Sequence, residues 1–246
     1  INKGETVVIR VSDLNFSYAD KCVLQQVSFN VDDGDLFAIL GPNAAGKTTL
    51  IKLLTGILEM QGGNIIFDDM PLNGTNDYKI RSMIGVMQEI TGVHLKMTGF
   101  EYLCLIAALN NYPPDMITER VLFIANKFNF ESELHRSIKK YSAGTKKKIE
   151  FCAAIVHEPR VLLLDEPFES VDPIVCFEIK QHLKHLVEHG STVIITSHIL
   201  ETIQNLCNKY IIINQGSVVR CGNIEKDNGV DLEQIFIEVV GHEAAE

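Results

Sequence analysis

Residues 41–48 read Gly-Pro-Asn-Ala-Ala-Gly-Lys-Thr and match the spacing G-x-x-x-x-G-K-[ST] at every fixed position. Such a loop turns successive backbone N–H groups into one concavity for phosphate oxygens, and a helix opening behind it adds partial positive charge. In that setting Lys47 neutralises β- and γ-phosphates, and the Thr48 hydroxyl ligates Mg2+. Gly41, Pro42, Asn43, Ala44, Ala45, Gly46 and Thr49 are the other candidates for nucleotide contact. An ordinary glycine turn needs neither a buried strand before it nor an amphipathic helix after it. This one has both patterns.

A second set of residues could complete the chemistry. The apolar run 161–164 ends in Asp165 and Glu166. An acid at the carboxyl end of a strand beside a phosphate loop is placed to ligate Mg2+, which points to Asp165. Glu166 then faces the position of an attacking water and can act as its general base. Acidic strand ends are common, so the glycine loop upstream is what gives this pair its meaning. His198 follows the run 193–196 and so lies at the same sheet edge. There it either holds a γ-phosphate and water in line or is a structural histidine. Gln88, after residues 84–87, is either a further Mg2+ ligand or a plain surface residue.

Residues this far apart in sequence share a site only if parallel strands bring them to one edge. Residues 36–40 are apolar without alternation, as in a strand covered on both faces. Residues 27–31 alternate with period two, and 7–9 and 14–18 read as short strands. Leu50, Ile51, Leu53, Leu54, Ile57 and Leu58 recur at three- and four-residue intervals, predicting a helix over 50–58. Buried strands are expected at 161–164, 193–196 and 210–214, with a helix over 174–189 between the first two. Strand, helix, strand in that order implies a parallel sheet. Residues 98–154 are patterned as helices with no buried-strand run, which suggests a helical subdomain inserted into an α/β core. Leu232, Ile235 and Phe236 stand at helical spacing in a short tail.

Composition sets further bounds. The chain has 246 residues, 46% of them hydrophobic, enough for one large domain or two small ones. A formal net charge of −10 argues against long-range attraction to nucleic acid or anionic lipid as the main partner interaction. No apolar run reaches the ~18 residues of a membrane span, so no direct insertion is expected. Residues 1–10 show no basic patch leading into an apolar stretch, so no signal peptide is visible. The six cysteines lack C-x-x-C spacing, which fits a reducing compartment and thiols used mostly as small core residues. Lys146, Lys147 and Lys148 are expected on a solvated helix face. His182, His185 and His189, at helical spacing without a Cys or acidic ligand in natural register, are read the same way.

Together these residues resemble the ATP-binding cassette family, the ATPase subunits of ABC transporters, over about residues 8–239. By that resemblance Tyr18 is similar to the aromatic that stacks on adenine, and 41–48 to the Walker A loop. Gln88 is similar to the residue coupling the site to membrane subunits, and Tyr141-Ser142-Ala143-Gly144-Thr145 to the family signature. Asp165 and Glu166 match the Walker B pair, Asp172 the loop after it, and His198 the switch histidine. The signature departs from Leu-Ser-Gly-Gly-Gln at Ala143 and Thr145 but keeps Ser142 and Gly144, which in the family contact the γ-phosphate. Phe168, Glu169 and Ser170 replace smaller residues, and Ala44 a frequent glycine. Such drift resembles single-cassette exporters of the antibiotic-resistance and polysaccharide type, as does the ending 232–236.

The resemblance implies an α/β fold: a P-loop NTPase core with a mostly parallel sheet, an N-terminal antiparallel β-subdomain and an inserted helical subdomain. Residues 1–90 and 155–215 would form the core and β-subdomain, 91–154 the helical subdomain, and 216–246 a C-terminal tail. It also implies ATP and Mg2+ as cofactors, and a second cassette, expected to be another copy, paired head to tail. Integral membrane permease subunits would hold the pair on the cytoplasmic face of the cell membrane. A soluble relative acting on nucleic acid or ribosomes would usually carry two cassettes, a coiled coil or a basic surface. A regulatory cassette without hydrolysis would not need Glu166 and His198, and a small-molecule kinase would not explain Ser142-Ala143-Gly144.

Overall fold

The computed structural model describes residues 7–87, 92–169, 171–224 and 231–241. Gln88 and Ser170 lie outside them. Strands β1 (Val7–Tyr18) and β2 (Lys21–Asp32) form a long antiparallel pair, extended by β4 (Gly62–Phe67) and β5 (Met70–Pro71) in the order β2-β1-β4-β5. The segments read from sequence as separate short strands are therefore parts of two continuous ones. Bulges explain the difference. The β1–β2 register shifts between Val11 and Leu14, and Asp13 and Gln26 take positive φ, so alternation breaks while pairing continues.

The second sheet positions the site. It contains β3 (Leu36–Leu40), β6 (Ile84–Met87), β7 (Val161–Asp165), β8 (Thr192–Ser197), β9 (Lys209–Asn214) and β10 (Ser217–Asn223). The order is β10-β9-β3-β8-β7-β6, parallel throughout except for antiparallel β10 at one edge. The tail thus begins as a sheet strand, and its helix α8 (Leu232–Gly241) buries Leu232 and Ile235. All five β3 residues are buried, and successive side chains enter different cores. Leu36, Ala38 and Leu40 pack with the helical side, while Phe37 and Ile39 pack with the antiparallel sheet and helix α1 (Lys47–Leu54). Phe37 stacks on Phe29 of β2 at 5.6 Å.

Helix α1 stops four residues before the apolar stripe does. Gly56 takes φ +67, with Gly56 N–H bonded to Leu53 O and Ile57 N–H to Lys52 O, the paired bonds of a left-handed C-terminal cap. Ile57 is consequently exposed rather than part of the buried stripe. Helix α2 (Asp77–Met83) leads into β6, and α7 (Leu200–Leu206) follows β8.

Between β6 and β7 the regular structure is helical: α3 (Gly99–Leu109), α4 (Ile117–Lys127) and α5 (Ala143–Ile155). Thr98 and Glu101 form a capping box that starts α3, each side chain bonding the other's backbone N–H. Helix α6 (Pro173–Glu188) packs against α5. That packing alters two readings made from sequence. Lys148 is not on a solvated face: its ammonium lies 2.8 Å from Glu178 of α6 and donates to Phe128 O, while Lys147 pairs with Glu150 at 3.6 Å. Among the histidines, His185 and His189 are exposed as expected, but His182 is half-buried, edge-on to Phe128 and Phe151. The thiols also divide: Cys152 and Cys207 are core residues, while Cys22 and Cys221 are exposed.

Burial, then the cations Lys127, His185 and Arg120, push the His182 pKa down to about 3. Its Nδ1 is buried without a hydrogen-bond partner. The unfolded value is near 6.5, so the unfolded chain takes up a proton that the folded chain refuses. This contribution to stability is complete above about pH 6.5 and is lost as pH falls toward 3. His182→Phe keeps the ring and removes the titration. Urea denaturation should show similar stabilities at pH 7.5, and a variant about 1 kcal/mol more stable than wild type at pH 5, after discounting for partial exposure.

Candidate functional site

The glycine loop joins the carboxyl end of β3 to α1. Gly46 is the N-cap of α1 at φ +108, and a Cβ there would lie 2.7 Å from Leu24 Cδ2 and 3.1 Å from Val23 O. A side chain at Gly41 would meet Ile213 O of β9 at 2.3 Å. The loop therefore lies tight against β2 and β9, and only glycine fits at these points. Ala44 adopts φ +65, so the residue standing where a glycine is frequent holds a left-handed turn at a cost of about 1 kcal/mol.

Lys47 is buried, and its ammonium donates to Gly41 O at 2.7 Å and Pro42 O at 3.2 Å. Glu166 Oε1 lies 3.5 Å from the same nitrogen. The other oxygen, Oε2, accepts from His198 Nδ1 at 3.0 Å. A cation from the start of α1 and a carboxylate and an imidazole from two strand ends thus form one chain of contacts. Glu166 itself turns at φ +46, immediately after β7.

A residue that the sequence did not single out holds the acids in place. Thr196 of β8 is fully buried and level with Asp165 in the parallel register. Its hydroxyl donates to Asp165 Oδ1 at 2.5 Å and accepts from Glu166 N–H at 2.9 Å. The signal available was its place at the end of an expected strand, but threonine is also an ordinary strand residue.

Above the loop is a cleft of about 650 Å³, within the range of small-molecule sites. Tyr18, Asn43, Lys47, Thr48, Glu166 and His198 line it, and Lys21 at the start of β2 and Gln215 in the β9–β10 turn, which the sequence did not flag, contribute as well. Thr48 and Asp165 also line an adjoining cavity of about 250 Å³ with Met87. Hydroxyl and carboxylate oxygens facing one space are the hard donors that suit Mg2+. Gln88 directly follows Met87 but lies outside the described residues.

The remaining candidates are elsewhere. Ser142 is the exposed N-cap of α5, accepting from Thr145 N–H at 3.1 Å, and Gly144 sits in that first turn, where a Cβ would reach Val175 of α6 at 3.5 Å. Asp172 is the exposed N-cap of α6, accepting from Ile174 N–H at 2.8 Å. None of the three lines the cleft over the loop.

Residues 24–169 match the family described as ABC transporter. An uncharacterised ABC transporter ATP-binding protein of Methanocaldococcus jannaschii is 30% identical over 217 residues, 88% of this chain and 78% of that protein. The fluoroquinolones export ATP-binding protein of Mycobacterium tuberculosis is 33% identical over 217 residues, 87% of this chain and 70% of that protein. A solved ATP-binding subunit of an ABC transporter superposes with a TM-score of 0.87 at 26% identity, covering 94% of this chain and 99% of that one.

Removing the Thr196 hydroxyl leaves the half-buried Glu166 N–H without its acceptor. Thr196→Val should lower unfolding free energy by about 1–3 kcal/mol, while Thr196→Ser should restore most of it. Urea denaturation of the three proteins checks this.

Proposed function

This chain belongs to the ABC transporter family as an ATP-binding ATPase subunit, and we propose that its catalytic site is completed only by a second cassette paired head to tail. One observation carries the reading. Lys47, Glu166 and His198 converge in one cleft, while Ser142 and Gly144 begin an exposed helix outside it. A partner related by two-fold symmetry would bring its own α5 N-terminus to this cleft and offer backbone N–H groups to the γ-phosphate.

Within the cleft the residues take separate tasks. Tyr18, 45% exposed at the mouth, stacks on adenine. Residues 41–49 cradle the phosphates, and Lys47 exchanges its loop carbonyls for phosphate oxygens. Thr48 and Asp165, with Gln88, would hold Mg2+, which when bound would supply charge neutralisation at the phosphates. Glu166 accepts a proton from the water whose oxygen bonds to the γ-phosphorus as the bond to the β–γ bridging oxygen breaks. His198, donating Nδ1–H to Glu166, fixes that carboxylate and faces the γ-phosphate. Asp172, at the start of α6, belongs to the paired surface.

The wider setting follows from the same reading. Among the described residues no helix is long and apolar enough to cross a membrane, so passage of a substrate would require permease subunits. Those subunits would hold the pair at the cytoplasmic membrane face. Export is the proposed direction, supported by likeness to a protein named for fluoroquinolones export. The chain is proposed to be a single ATPase domain, with residues 1–90 and 155–215 as its α/β core and β-subdomain, 91–154 as its helical subdomain and 216–246 as its tail.

The decisive experiment mixes two inactive proteins. Lys47→Ala destroys the loop half of a site, and Ser142→Arg blocks the signature half. In a head-to-tail pair both defects fall in one site, and the other site is intact. Each variant alone should lose at least about a hundredfold in ATP turnover, and the mixture should regain activity. A mixture as inactive as its components would sink the shared site. Glu166→Gln should bind ATP, hydrolyse about 10²–10⁴-fold more slowly, and elute as a dimer only with ATP by light scattering.

A further inference from the structure

The histidines on α6 lie outside the proposed ATPase site, and none lines its cleft. The reading from sequence that no acidic ligand joins these histidines is corrected by the helix geometry: one ligand atom from each of His185, Glu188 and His189 lies within 4.8 Å of the other two. Spacing of three and four residues sets these side chains on one helix face. The helix fixes them further, because His189 is its C-cap and bonds the carbonyls of His185, Leu186 and Val187 through its backbone N–H. The His185 and His189 ring centroids are 4.0 Å apart.

His189 is prepared as a ligand by its own hydrogen bond. Its Nδ1 lies 2.7 Å from His185 O, and a carbonyl only accepts, so Nδ1 carries a proton and Nε2 is the nitrogen left to meet a metal. Metal-binding histidines commonly donate their second ring nitrogen to a backbone carbonyl in this way. The C-terminal end of a 16-residue helix also favours a cation. Lys127 and Arg120 of α4 line the same cavity as His185 and His189 and are the nearby opposing charges. His182 stands apart, its ring centroid 6.0 Å from that of His185 and its edges against two phenylalanines.

We propose that His185, Glu188 and His189 form a surface site for a divalent transition metal of the Zn2+ class. Two imidazoles and one carboxylate suit Zn2+, Ni2+ or Cu2+ and not the hard cations Mg2+ and Ca2+. Three protein ligands leave a coordination position open to water, so the site is an open one.

Calorimetric titration of the full chain with Zn2+ should find one site per chain, unaffected by excess Mg2+, and the bound metal should raise Tm. His185→Ala/His189→Ala should lose the site, Glu188→Gln should weaken it, and Cys22→Ser/Cys221→Ser should keep it. Should the double histidine variant lose helix content by circular dichroism, Cu2+ bound to wild type supplies an independent reading: nitrogen hyperfine coupling is expected in its electron paramagnetic resonance spectrum. Absence of Zn2+ binding, unchanged binding in a folded double variant, loss of the site only with the exposed thiols, or Cu2+ without nitrogen ligation would each overturn the proposal.

Discussion

The backbones of β3, β7 and β8 are buried on both faces, so their N–H and C=O groups must find partners in one another. That requirement fixes the parallel register, with Leu40 opposite Ser197 and Asp165 opposite Thr196. A slip by one residue would turn every apolar side chain toward the wrong core. It would also separate the glycine loop, the acids and His198. The pairing that keeps the interior dry therefore sets the geometry of the chemistry at its edge.

The charged groups there restrain one another. Lys47 is held by two loop carbonyls and lies beside Glu166, and Glu166 also binds His198. Removing one partner from such a chain leaves another poorly compensated in a partly dry site. Thr196 holds both acids from a neighbouring strand, and neither can shift without breaking a half-buried hydrogen bond. Strain sits here too, in the left-handed conformations of Ala44 and Glu166.

A similar economy governs the helical side. Helix α5 presents Ser142 at an exposed start, yet its later turns bury Phe151, Cys152 and Ile155. Lys148 ties α5 to α6 through Glu178, and Arg120 of α4 donates to the carbonyls of Ile155 and Val156 at the end of α5. These contacts couple the helix that starts at Ser142 to the one that starts at Asp172. Any displacement of one is resisted by the others, which suits a surface proposed to meet a partner as a unit.

The glycine loop was legible in sequence because its requirement is local: Gly46 must take a positive φ, and Lys47 and Thr48 follow it directly. The strands at 36–40, 161–164 and 193–196 were legible for a related reason, since two-sided burial demands unbroken apolar runs. Bulged β1 and β2 and the early end of α1 were obscured, because positive-φ residues interrupt pattern without ending pairing, or end a helix without ending its stripe. Thr196, the buried His182 and the ion pair of Lys148 were invisible for another reason. Their roles are set by residues dozens of positions away, and no local pattern records which side chain arrives opposite. Sequence by itself determined the chemical groups and the central strands that carry them, but not the edge strands β6 and β10. Only the tertiary structure decided which groups meet, because meeting depends on register and packing between distant segments.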